Sequence, residues 1–199
     1  MPSKESVIGK LKLYYDLAAD VRYKNSHVPI RQLVQPNDPE VKELADILNL
    51  APDFVETAHS FVNSFTRYGR EEGDYWRTPE ESLRRAEQGE GLDCDDSAIL
   101  LCSLLRNYIP AERVYCAVVV WDLNGIADGH MCVLLQDENG QDRVIESTAA
   151  PETPTRGTYN LYALFNDKYA FATKAGLELF DLKPVKEELM EMDQASVVG

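Results

Sequence analysis

Long apolar runs are missing from this chain. The longest, Cys116–Trp121 and Ile99–Cys102, fall far short of the roughly 20 residues that a helical membrane span needs. Met1-Pro2-Ser3-Lys4-Glu5 has no apolar stretch of the kind that opens a secretory signal. Basic residues are scarce too: 20 Lys and Arg stand against 34 Asp and Glu, a net charge of −14 with no local basic patch. A surface of that sign repels phosphate backbones, so neither a nucleic acid nor a membrane is an expected partner. The four cysteines include no CxxC pair and no zinc-finger spacing, which excludes a structural zinc site. Repeats and low-complexity linkers are absent as well. What remains is ordinary globular composition, 44% hydrophobic over 199 residues. The expectation is a cytoplasmic protein with one sizeable core and four free thiols.

The hydrophobic pattern gives an α+β organisation. Residues 1–70 read as a helical N-terminal layer of the same domain. Asp38 can cap a helix that Pro39 opens, with Val41, Leu44, Ala45 and Leu48 on one face. A second helix follows Pro52-Asp53, with Phe54, Ala58, Phe61 and Phe65 as core contacts. Residues 71–183 form the main core. Within them Thr78-Pro79-Glu80-Glu81 is a capping box, and Cys94–Tyr108 is a helix apolar nearly all round, hence central. Three strands follow, Val114–Trp121, Gly129–Gln136 and Arg143–Thr148, rich in β-branched residues. Helix is expected over 160–180. Residues 184–199 read as a polar helix and tail.

Cys94 is the cysteine whose position carries chemistry. It lies where the loop Gly91-Leu92-Asp93 turns into the central helix. A thiol at a helix N-terminus feels the positive end of the macrodipole, and the N–H groups there suit a developing oxyanion. Asp93, Asp95 and Asp96 work against it, since one close carboxylate matches the ~0.3–1 kcal/mol of the dipole. The thiol therefore needs a histidine. His27 in a polar loop and His59 on the second helix read as surface or internally satisfied residues. His130, which opens the strand Gly129–Gln136, is the third.

Its partner depends on the turn Asp137-Glu138-Asn139-Gly140. With a type I turn and Gly140 as the left-handed bulge residue, Cys132 comes opposite Glu146 and His130 opposite Thr148. His130 and Glu146 are then diagonal neighbours on one face. A two-residue Asn139-Gly140 loop would separate them, leaving Asp128 as the acid of matching parity. The first register is the expected one. Cys132 then borders the His130 face, while Cys102 and Cys116 read as packing.

Four blocks resemble the transglutaminase-like superfamily: Asp74-Tyr75-Trp76-Arg77-Thr78-Pro79-Glu80-Glu81-Ser82-Leu83, Gly91-Leu92-Asp93-Cys94-Asp95-Asp96-Ser97-Ala98, Gly129-His130-Met131 and Ile145-Glu146-Ser147-Thr148. They are most similar to its bacterial transglutaminase-like cysteine proteinase group, which typically reads Trp-x-x-Pro-x-Glu, Gly-x-Asp-Cys-Glu/Asp-Asp-x-Ala, a strand His, and an acid before Thr or Asn. The resemblance implies a papain-like fold, a central helix bearing the cysteine on an antiparallel sheet. It implies Cys94 as nucleophile, His130 as general base and acid, and Glu146 as the residue that orients the imidazole. Glu146 stands where the group usually has Asp, and Met131-Cys132 where many relatives have Ala and an aromatic. The resemblance further suggests an oxyanion donor from Trp76 or Tyr75, against packing for Trp76. Calcium at Asp93 and Asp95, as in some secreted relatives, stands against helix capping by the same acids. No other cofactor is implied.

The expected function is a cysteine hydrolase or acyltransferase acting on the amide bonds of a protein or peptide through a thioester. Water as acceptor makes a peptidase, and an amine makes a transglutaminase. The alternative from a different class is a catalytically silent peptide-binding or scaffold protein, which the acid-crowded thiol and Glu146 motivate. A Cys/His/acid metal site is a third reading.

Overall fold

A helix with almost no polar face is stable only when surrounded. The computed structural model, which describes residues 11–22, 26–69, 73, 75–154 and 156–185, surrounds it. In chain order the elements are β1 (Lys12–Tyr14), β2 (Leu17–Ala19), β3 (Val28–Pro29), a 3₁₀ turn (Ile30–Leu33), α1 (Pro39–Leu48), α2 (Phe54–Phe65), α3 (Pro79–Glu87), α4 (Cys94–Leu105), β4 (Val114–Leu123), β5 (Ile126–Gln136), β6 (Asp142–Ile145), β7 (Thr158–Phe165), β8 (Ala170–Ala172), α5 (Lys174–Leu179) and β9 (Lys183–Pro184). Eleven of the twelve residues of α4 are buried, all but Cys94. Helices α1, α2 and α3 pack around it on one side, and β4 and β5 on the other. Burying each of Leu100, Leu101, Leu104 and Leu105 stabilises the fold by about 1.5–3 kcal/mol.

The main sheet has six antiparallel strands in the order β1-β8-β7-β4-β5-β6, and a small sheet has the order β3-β2-β9. Alternation sorts its side chains onto two apolar faces. Cys116 and Val118 of β4 with Met131 and Val133 of β5 join the core around α4. Tyr115, Ala117, Val119, Cys132 and Leu134 form a second cluster on the outer face. Among the described residues no helix is long and apolar enough to cross a membrane. The architecture is α+β, as the pattern requires.

Caps follow the sequence closely. Asp38 accepts from the N–H groups of Glu40 and Val41 with Pro39 in the first turn. Asp53 accepts from Glu56, and Thr78 with Glu81 closes a capping box. Three expectations are corrected. Among the described residues the N-terminal layer is α-helical only from Pro39: those before it hold β1, β2, β3 and a 3₁₀ turn. Its Lys12–Tyr14 pairs with β8, Lys12 standing opposite Ala172. Residues 160–180 are mainly β7 and β8, with helix only at Lys174–Leu179, because the aromatic run of β7 is stapled to β4. The central helix ends at Leu105, three residues before Tyr108. Of the expected C-terminal helix, 186–199 lie outside the described residues.

Candidate active site

The loop that delivers Cys94 is pinned before the helix begins. Leu92 N–H donates to Arg67 O at 2.8 Å and Gly69 N–H to Leu92 O at 2.9 Å. The backbones approach so closely that a Cβ on Gly91 would lie 2.5 Å from Gly69 Cα, which only glycine tolerates. Asp93 occupies the N-cap position, yet its side chain makes no capping hydrogen bond; capping is therefore not what its carboxylate does. Asp96, fully buried, is held by Arg77 instead: the Arg77 backbone N–H donates at 2.8 Å and its guanidinium at 2.6 Å. Burial above all, and repulsion from Asp93, push the Asp96 carboxyl up to about 7 despite Arg77. The carboxylate oxygens of Asp93, Asp95 and Asp96 come within 4.8 Å of one another.

Cys94 is partly exposed and free. Its thiol is pushed up to about 12, first by burial and then by Asp95, with Asp93 and Glu146 adding to the rise; the N–H of Met131 points at the sulfur and opposes it. The acid crowding read from the sequence is thus present.

On the sheet side the three-residue loop forms as expected. Asp137 N–H donates to Gln141 O at 3.0 Å and Gly140 N–H to Asp137 O at 3.1 Å, with Gly140 at φ +75°. Val133 stands opposite Ile145, the register in which Cys132 would be next to meet Glu146. β6 stops there, and the Glu146 carboxylate takes the hydrogen bond of His130 Nε2 at 2.7 Å. Oε2 also accepts from the Tyr159 hydroxyl at 3.1 Å, and Oε1 from the Thr148 hydroxyl at 2.7 Å and its N–H at 3.3 Å. Burial works to raise the Glu146 pKa, but the bonds from His130 and Thr148 outweigh it and hold the carboxyl below its usual range. An ionised carboxylate only accepts, so the proton of His130 sits on Nε2, and Nδ1 is left as the acceptor.

Strand parity puts His130 on the outer face with Cys132, and Met131 on the helix face. Cys94 packs against the core that holds Met131, and the Met131 N–H opposes the rise of its thiol. Among the described residues Cys94 and His130 share no hydrogen bond. Glu146 is the group common to both: it bonds the imidazole and adds to the rise of the thiol.

Other candidates fall out differently. Trp76 is buried and stacked on Phe165, ring centroids 6.0 Å apart, which is the packing alternative. Tyr75 lies between the guanidiniums of Arg22 and Arg77, at 4.9 and 5.2 Å. Asp128 accepts from the Gly129 N–H at 2.9 Å, and Glu146 holds the histidine in its place. Cys102 and Cys116 are core; Cys132 is fully buried. Its thiol is raised by burial and by the proximity of Glu146 and Cys94, so it borders the site without an opening to it.

Three contributors are not visible in the sequence. His59 Nε2 lies 2.8 Å from both Glu146 O and Ala149 O. Carbonyls only accept, so this nitrogen donates and clamps the turn that carries the acid. Tyr159 braces Glu146, and Trp121 lies 5.9 Å from His130 ring to ring. Long-range partners of this kind leave no periodic trace. A cavity of about 610 Å³ lies away from these residues, by Tyr15, Asp16, Arg31 and Asp167.

No protein-family model matches the sequence, and no curated protein matches it. Solved structures do. Legionella pneumophila LapG has TM-score 0.51 and 19% identity, over 76% of this chain and 90% of that one. Its EGTA-treated form has TM-score 0.50 and 20% identity, over 73% and 84%. A calcium-bound form aligns at TM-score 0.48 and 19% identity, over 68% and 77%. The fold of this chain is transglutaminase-like. At this identity the likeness is one of fold.

Proposed function

We propose that this protein is a transglutaminase-like cysteine peptidase or acyltransferase acting on peptide amide bonds through a Cys94–His130–Glu146 triad. The observation that carries the reading is the His130–Glu146 hydrogen bond of 2.7 Å, with Glu146 near enough to Cys94 to add to the rise of its thiol. Glu146 fixes the Nε2–H tautomer, so Nδ1 takes the thiol proton when the side chains close. The thiolate attacks the scissile carbonyl, and the amine leaves with a proton from the imidazolium. The thioester is then released by water or by an amine. Apo contacts in such sites are commonly loose and tighten with substrate. The LapG-like fold supports a peptidase, and hydrolysis is our choice between the two outcomes.

Calcium fits the helix side. Asp93 and Asp95, whose carboxylates lie beside that of Asp96, are the hard oxygen donors that this ion takes and would hold it, while Asp96 stays with Arg77. A bound cation there offsets the charge that raises the thiol. A silent scaffold remains the second reading, favoured by a thiol pushed up to about 12.

Incubation with casein and a fluorescent primary amine, with Cys94→Ala as control, separates these. Cleavage without amine incorporation is hydrolysis, and incorporation is transfer. Neither, with Cys94 no more reactive than a free thiol, supports the scaffold.

A further inference from the structure

Beyond Ile145 the acid-bearing segment leaves the sheet. β6 pairs with β5 as far as Ile145 opposite Val133, and among the described residues no strand pairing continues into Glu146–Ala149. The segment folds on itself instead. Ala149 N–H donates to Glu146 O at 3.1 Å. The Thr148 hydroxyl and N–H both donate to Glu146 Oε1, at 2.7 and 3.3 Å. Turn and carboxylate therefore move as one unit, and whatever fixes the turn also aims Oε2 at His130.

His59 is what fixes it. Its Nε2–H donates to both ends of the turn, Glu146 O and Ala149 O, at 2.8 Å each. The imidazole sits on the buried stripe of α2 with Ala58 and Val62 and is only 8% exposed, so water competes little for either bond. A polar ring on that stripe costs desolvation that an apolar side chain would not, and the two bonds offset it. α2 also packs against α4, the helix that Cys94 opens. One helix thereby serves both halves of the site: it packs on the helix of the nucleophile, and its His59 holds the acid.

We propose that His59 is a positioning residue of the site: by pinning the Glu146–Ala149 turn to α2 it holds the Glu146 carboxylate on His130. This rests on the cysteine-hydrolase reading above. His59 touches neither substrate nor reacting atoms, so its effect passes wholly through Glu146. It belongs in kcat rather than KM, and it vanishes where residue 146 has no carboxylate to aim.

The test compares His59→Met with His59→Gln. Met matches the length of the buried side chain without a donor. The Gln amide nitrogen stands as many bonds from Cα as Nε2 does, and it donates. The first readout is nuclear magnetic resonance and needs no substrate. It follows exchange with water of the His130 Nε2 proton, which Glu146 accepts at 2.7 Å, against the Trp121 Nε1 proton, which Arg156 O accepts at 2.7 Å. We expect His59→Met to speed the first relative to the second by roughly tenfold, and His59→Gln to bring it back to within about threefold of wild type. A merely structural loosening would speed both protons alike. The second readout is cleavage of casein. His59→Met should lower kcat roughly tenfold with KM unchanged, as loss of two bonds would give, but by less than about twofold in a Glu146→Ala background. An unchanged exchange ratio in folded His59→Met, or an equal fall in kcat with and without the Glu146 carboxylate, overturns the proposal. So does a wild-type His130 proton that exchanges as fast as in Glu146→Ala. Should His59→Met not fold, His59→Asn, whose amide falls one bond short, takes its place, and an unchanged ratio there overturns the proposal. If the wild type cleaves nothing, the cysteine-hydrolase reading fails, and the exchange ratio still decides whether His59 holds Glu146.

Discussion

On the sheet side of the site, Glu146 accepts hydrogen bonds at both oxygens from His130, Tyr159 and Thr148, and His59 clamps its backbone. On the helix side, Cys94 stands among Asp93, Asp95 and Glu146 with one N–H turned to its sulfur. The proposed base is preorganised with its tautomer fixed by Glu146; the proposed nucleophile has its thiol pushed up by burial and by these acids. Activation therefore depends on drawing the thiol into the imidazole's field and on offsetting the acids at the start of α4.

Removing either half should have the largest effect. Cys94→Ala should abolish amide cleavage or transfer, and His130→Ala should lower it by ~10³-fold or more. Circular dichroism should stay native, since neither change empties the core. Activity surviving in Cys94→Ala would move the chemistry elsewhere.

Next in size is Arg77→Ala, which strips the buried Asp96 of its ion pair. Leaving such a charge unpaired costs about 3–5 kcal/mol, read as loss of thermal stability at pH 8. The Asp96 carboxyl is raised to about 7 in the folded protein against ~3.9 unfolded. The folded state thus holds the extra proton between these values, and this group's contribution to stability rises as pH falls through 7. The deficit of Arg77→Ala should accordingly shrink at pH 5.5. A deficit independent of pH would mean that Asp96 is not the group left behind.

Glu146→Gln sharpens the comparison on the sheet side. Turnover should fall by ~10²-fold through loss of the fixed tautomer and of imidazolium stabilisation, while Cys94 alkylation continues. Tyr159→Phe should have the smallest effect. It keeps the ring near His130 but deletes one bond to Oε2, so kcat should drop about twofold to fivefold with KM little changed. A larger loss in KM than in kcat would place Tyr159 on the substrate.

The legible parts of the molecule are those specified locally. Asp137–Gly140 carries its own turn chemistry, so the register next to Glu146 could be read from four residues. The apolar wrap of α4 and the caps at Asp38, Asp53 and Thr78 are local in the same sense. β7 was not legible, because Tyr159–Phe165 takes strand form through β4 and its aromatic pattern suits either element. β1 depends on β8 at the other end of the chain. His59 looked self-sufficient, since its acceptors lie 87 and 90 residues away. Cys94 stood out because a cysteine opens the central helix, and His130 because the chain has three histidines; their bracing did not.

The most direct measurement is the rate of iodoacetamide alkylation at Cys94, followed by mass spectrometry from pH 6 to 9 in wild type and His130→Ala. A thiol at about 12 without a base should react roughly tenfold faster with each pH unit. His130→Ala is predicted to show that slope. The wild type should react at least tenfold faster at pH 7 and climb less steeply, because His130 takes the proton. Superimposable profiles would contradict the claim that His130 serves Cys94.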